Sequence, residues 1–107
     1  MAVPNRVPPP AFATGAVLVV EEVLEAVAFD VAAATLRLRT ARHDLCARGL
    51  VATNLLGPWD GAPGVVEWLK VVAVAAGETC VELRVRYATV PRHYRLVARE
   101  LELIERI

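Results

Sequence analysis

The sequence predicts a mainly β protein, a small antiparallel sandwich or barrel with a Pro-rich N-terminal arm, and three observations carry this. Residues 35–40 read Thr-Leu-Arg-Leu-Arg-Thr, a strict apolar–charged alternation with the period of a half-buried strand. Two Val-rich runs flank Gly77-Glu78, the form of a tight hairpin. The stretch 16–34 is rich in β-branched Val, which favours extended backbone. The competing class is α+β, an antiparallel sheet with helices near 20–48 and 91–107.

Residues 1–14 are expected to form an extended arm and 15–107 a single β-rich domain, because 107 residues suffice for one core. The arm opens MAVPNRVPPP, and Pro8, Pro9 and Pro10 favour polyproline geometry over helix or central strand. In the next stretch a strand is expected near 17–24. Val20, Val23, Leu24, Val27 and Val31 also recur at helical spacing, so a helix competes there. A second helix competes over Asp30 to Gly49, with Asp30 as N-cap and Gly49 as the terminating glycine. The alternation at 35–40 tips that segment toward strand.

Residues 57–64, Gly-Pro-Trp-Asp-Gly-Ala-Pro-Gly, read as a connector of successive turns in which Asp60 caps backbone amides. Turn chemistry leaves Trp59 unexplained; its ring either tucks under the sheet or anchors a neighbour. Beyond Val65 the hairpin is expected to turn at Gly77-Glu78, type II′, with Ala76 opposite Thr79. That register sets Val74 against Val81, Val72 against Leu83, Lys70 against Val85 and Trp68 against Tyr87 on a core face. Leu69 and Val71 then fall on the opposite face and call for a cover, such as another subunit. After Pro91 the chain alternates as a strand with a slip near Arg99, where a bulge fits. Tyr94, Val97, Leu101 and Ile104 also have helical spacing, but the arginines would then sit early and the glutamates late, against the helix dipole.

Hydrophobic residues make up 56% and aromatics 6%, so the core is expected to be aliphatic. Formal net charge is zero, which argues against a nucleic-acid partner. The charge is segregated nonetheless: acids cluster at Glu21, Glu22, Glu25 and Asp30, and bases at Arg37, Arg39, Arg42 and Arg48. Arg84, Arg86, Arg92, Arg95 and Arg99 form a second basic run before Glu100, Glu102 and Glu105. Such patches pair across a sheet within the chain or head to tail between copies. With four prolines and no apolar stretch in the first ten residues, no signal peptide is expected, and no apolar run is long enough to span a membrane, so no membrane partner is expected.

The chemical inventory is thin, and no catalytic, cofactor or metal-binding residue is assigned. The only histidines are His43 and His93. His43 adjoins Asp44, but neighbouring side chains diverge, so the two make no dyad. No HxH, HxxE or HExxH spacing and no phosphate-loop or nucleophile-elbow motif occurs. Cys46 and Cys80 read as buried or half-buried thiols, and Cys80 with His93 lacks a third, orienting group. An enzymatic alternative would use Asp60 or His93 as acid or base. Arg84, Arg86, Arg92 and Arg95 with Tyr87 and Tyr94 have the composition of an anion or single-strand groove, against which a solvated or subunit-contacting face is preferred.

In its length, its Pro-rich arm and its Trp59-Asp60-Gly61 ahead of the Val/Ala-rich run from Val65 to Ala76, the chain resembles the small capsid decoration (cement) proteins of tailed phages. The resemblance implies a non-enzymatic protein that clamps on a capsid lattice, its arm lying across a neighbour. The expected function is therefore structural: self-association, or attachment to a larger protein assembly such as a virion. The expected interface comprises Pro8, Pro9, Pro10, Trp59, Leu69, Val71, Arg84 and Arg86. The alternative function, a small apolar-ligand binding domain of helix-grip type, requires 91–107 to be a helix.

Overall fold

The computed structural model describes residues 5–7, 14–55, 64–87 and 90–106. Seven antiparallel strands follow in chain order: β1 (Asn5–Val7), β2 (Val17–Asp30), β3 (Thr35–Thr40), β4 (His43–Thr53), β5 (Gly64–Ala75), β6 (Glu78–Tyr87) and β7 (Val90–Glu105). They lie in one sheet of order β1-β7-β4-β3-β2-β5-β6, and a further β7–β6 pairing closes the six long strands into a barrel. No helix occurs among the described residues. The helices considered near 20–48 and 91–107 are thus overturned, and with the second goes the basis for a helix-grip binding domain.

The topology is two three-stranded meanders, β2-β3-β4 and β5-β6-β7. After the first meander the chain returns to lay β5 beside β2, a Greek-key path. Two strands turn the corners. The first half of β2 pairs with β5 over Val17–Leu24, and its second half with β3 over Leu24–Asp30. Likewise β7 pairs with β6 over Val90–Ala98 and with β4 over Leu96–Glu105. A strand that changes partner must bend, and the register shifts mark where: around Leu18 and Glu25 on β2, with Glu21 at φ 51° between them. The in–out phase of β7 also slips near Arg99, since Ala98 and Leu101 are both buried while Arg99 and Glu100 between them are exposed, but the extra residue is Val51 on β4 and not a bulge at Arg99.

These bends explain the misleading spacing in β2. Its buried positions are Val19, Glu22 and Leu24, whereas Val20, Val23 and Val31 are exposed. A strand whose in–out phase slips mimics helical periodicity. Asp30, considered as a helix cap, instead accepts a hydrogen bond from the Ala33 amide (3.1 Å) in the Val31–Ala34 turn, where Ala34 has φ 48°.

The β5–β6 hairpin turns one residue earlier than expected. Ala76 (φ 48°) and Gly77 (φ 77°) are the two loop residues, a type I′ turn rather than II′, and Ala75 pairs with Glu78. Extra residues at Val72 and Glu67 shift the register twice more. On β6 the expected core face is observed: Val81, Leu83, Val85 and Tyr87 are buried. On β5 it is reversed between those two extra residues, because one added residue sends the side chains that follow it to the other face. Leu69 and Val71 are fully buried opposite Leu83 and Val81, Val74 is 45% exposed, and Trp68 pairs with Arg84 instead of Tyr87.

The barrel interior is aliphatic: Leu24, Leu36, Leu45, Leu69, Leu83, Leu96 and Leu101 are its largest fully buried side chains. Gly64, at the start of β5, is fixed by closure, since a Cβ there would meet Val85 Cγ1 at 2.6 Å and Tyr87 Cε1 at 2.9 Å. Asn5–Val7 pair with Leu103–Glu105 of β7.

Candidate functional site

Glu22 is the one buried carboxylate among the described residues, 4% exposed. The bend at Glu21 turns it inward beneath the β3–β4 turn, where it meets three donors. Thr40 Oγ1 donates at 2.7 Å, the Arg42 amide at 2.9 Å, and His43 Nδ1 lies 2.8 Å from Oε2. Thr40 Oγ1 in turn accepts from the His43 amide at 3.0 Å, and its carbonyl accepts from Arg106 Nη1 at 2.7 Å. Burial pushes the Glu22 carboxyl up, but the hydrogen bonds from His43, Thr40 and the Arg42 amide outweigh this and hold it below its ordinary value. The carboxylate holds the imidazole in place through Nδ1. Every donor around Glu22 belongs to the turn that it secures. The cluster is a strut between β2 and the β3–β4 hairpin.

A different feature occupies the outside of the barrel over β2, β5, β6 and β7. In register, Val20, Trp68, Arg84 and His93 form one row, and Val17, Lys70, Glu82 and Arg95 the next. Val17 and Val20 are each 54% exposed and Val23 45%, and with Val65 and Trp68 they make an apolar stripe on the outer surface. The stripe is bordered by bases. Lys70 Nζ stands 4.8 Å over the Trp68 ring, and the His93 ring meets Trp68 edge-on at 5.6 Å. Arg84 pairs with Glu67 at 3.2 Å, Arg86 with the same carboxylate at 3.6 Å, and His93 with Glu82 at 3.1 Å.

Of the residues singled out in the sequence, Arg84 and Arg86 lie on this outer face, while Leu69 and Val71 line the interior and need no external cover. Pro8, Pro9, Pro10, Trp59 and Asp60 lie outside the described residues. Tyr87 and Tyr94 do not join the arginine face: Tyr87 is buried, Tyr94 packs against the core, and their hydroxyls are 3.4 Å apart. Cys80 and His93 are likewise separated by their partners. Cys80 Sγ accepts from Arg95 Nε at 3.0 Å, which raises the Arg95 pKa, and His93 engages Glu82. Cys46 and Cys80 are free thiols, half-buried and buried. No group of three or more His, Cys, Asp or Glu among the described residues gathers as a metal would require. Of the segregated charges, several pair across strands within the chain: Arg39 with Asp44, Arg48 with Glu102, and Arg106 with Glu25.

Sequence reasoning missed Glu22 and the valine stripe for the same reason. Both depend on the phase slip in β2, and the Glu22 partners lie 18 to 21 residues away. The available signal was Thr40 and His43 flanking a two-residue turn with polar side chains on one side. Comparison with protein-family models, with curated proteins and with solved structures finds no match to this chain.

Proposed function

We propose that the chain is a non-enzymatic structural protein that self-associates through the outer face of β2 and β5, alone or within a larger assembly such as a virion. The observation that carries this is the outer-surface stripe of exposed Val17, Val20 and Val23 with half-buried Val65 and Trp68, on a barrel that has its own aliphatic core. A clustered apolar surface with an aromatic at its centre is the composition of an interface core.

The charges around the stripe favour a second copy as its occupant. Glu21 lies exposed within the stripe on β2, and Lys70, Arg84 and Arg86 flank it on β5 and β6. Across a two-fold axis the acid of one copy faces the bases of the other. Packing of faces, rather than pairing of strand edges, is the mode, because the half of β2 that carries the stripe is already paired with β5 in a closed strand order.

Light scattering on the full chain tests the proposal. The wild type is expected to reach at least twice its 11.6 kDa monomer mass with rising concentration. Val23→Glu, at an exposed position, is expected to remain at monomer mass with an unchanged circular dichroism spectrum. A wild type that stays monomeric at all concentrations, or a Val23→Glu variant that associates equally well, overturns it.

A further inference from the structure

The outer face over the second half of β2 with β3, β4 and β7 carries a second feature, independent of the stripe. In register across four strands, Ala28, Arg37, Cys46 and Glu102 form one row, and Ala26, Arg39, Asp44 and Ile104 the next. Arg37 and Arg39 point outward, because Leu36 and Leu38 beside them are buried. Small side chains on both sides of Arg37, Ala28 and Cys46, leave a hollow there. It measures about 310 Å³, and a neighbouring hollow of about 380 Å³ shares Ala28, Arg37 and Arg48 with it and extends over Asp30 and Thr35.

Three guanidinium groups face this space, and two are neutralised. Arg39 Nε binds Asp44 at 3.0 Å, and Arg48 Nη1 binds Glu102 at 3.1 Å. Arg37, between them, has no ion pair among the described residues. It presents a planar fork of donors between two guanidinium–carboxylate pairs, which suits the oxygens of a phosphate held at two points. The hollows are larger than an inorganic ion requires and fall in the range of small-molecule sites. The second hollow, which Thr35 lines, adds room for an organic remainder.

We propose that Arg37 anchors a binding site for a small organic phosphate on the outer face of β2, β3, β4 and β7, its phosphate on Arg37 between Arg39 and Arg48 and its remainder over Ala28 and Thr35. The site lies apart from the valine stripe, so it stands or falls independently of self-association.

Nuclear magnetic resonance titration of the full chain with glycerol 3-phosphate, and separately with inorganic phosphate at matched ionic strength, tests this. Saturable shifts are expected at the Ala28, Arg37 and Cys46 amides and at the Arg37 side-chain Nε–H, with the organic phosphate binding more tightly. Arg37→Gln is expected to weaken binding about tenfold, the loss of one charge-assisted contact, while its amide spectrum confirms the fold. Arg37→Lys is expected to fall between wild type and Arg37→Gln. Arg84→Gln, on the opposite meander, is expected to bind as wild type does. Shifts that do not saturate, or affinity unchanged in Arg37→Gln, overturn the site. Inorganic phosphate binding as tightly as glycerol 3-phosphate overturns its assignment to an organic ligand.

Discussion

Glu22 shows how one residue acquires a role that its neighbours in sequence do not share. Glu21 and Glu25 are exposed, while Glu22, in the same acidic run, is buried with three donors around it. Truncating it strands those donors in a closed space. Glu22→Ala is expected to cost about 3 kcal/mol of stability in urea denaturation, at the upper end for an unsatisfied buried cluster. The pH dependence follows from the lowered carboxyl pKa. A group that ionises more readily folded than unfolded stabilises the fold fully above its unfolded value, about 4.3 for Glu, and loses that contribution as pH falls through its lower folded value. The stability gap between wild type and Glu22→Gln is therefore expected to be largest near neutrality and to close below about pH 4. A gap that is constant down to pH 3 would mean that Glu22 is not held as a carboxylate.

Among the elements, the β5–β6 hairpin is where local chemistry and the observed register compete. Gly77-Glu78 suits a type II′ loop, yet the loop is Ala76-Gly77, with Ala76 in the left-handed region that alanine disfavours. The burial of Leu69 and Val71 does not depend on that choice of loop, because it is the extra residue at Val72 that turns both inward. A residue suited to the first position of a type I′ turn therefore relieves the strain without changing the register. Ala76→Asn is expected to stabilise by roughly 0.5–1 kcal/mol, read as a raised urea midpoint at unchanged m-value. A destabilised variant would mean that the turn does not hold this conformation. The hairpin also divides what was legible from what was not. The β6 face follows plain alternation, while the two extra residues at Val72 and Glu67 break the count on β5. In β3, with no bulge, Leu36, Leu38 and Thr40 are buried and Arg37 and Arg39 exposed, as the alternation alone predicts.

At the scale of the molecule, closure rests on β7, which pairs with β6, β4 and β1 along its length. Its last third supplies Leu101 and Leu103 to the interior and completes the β4 seam. Deleting residues 101–107 is expected to abolish cooperative thermal unfolding, because it opens the barrel and removes two core leucines, each worth about 2–3 kcal/mol. A truncated chain that melts as sharply as the full one would show that the barrel does not depend on that seam. The described core is aliphatic, and the valine stripe and the Arg37 hollow both lie on the outer surface, the stripe over the first half of β2 and β5, the hollow over the second half of β2 with β3, β4 and β7.

The sequence alone determined what depends on near neighbours: an antiparallel β chain, an aliphatic core, the faces of β3 and β6, and the phase slip near Arg99. Period-two alternation and turn propensity act over a few residues and can be read directly. The tertiary structure decided the register of β5, the corners in β2, the burial of Glu22 and the space beside Arg37. Each of these is set by which distant strand a bent strand must meet when the barrel closes, and a single added residue reverses which side faces in.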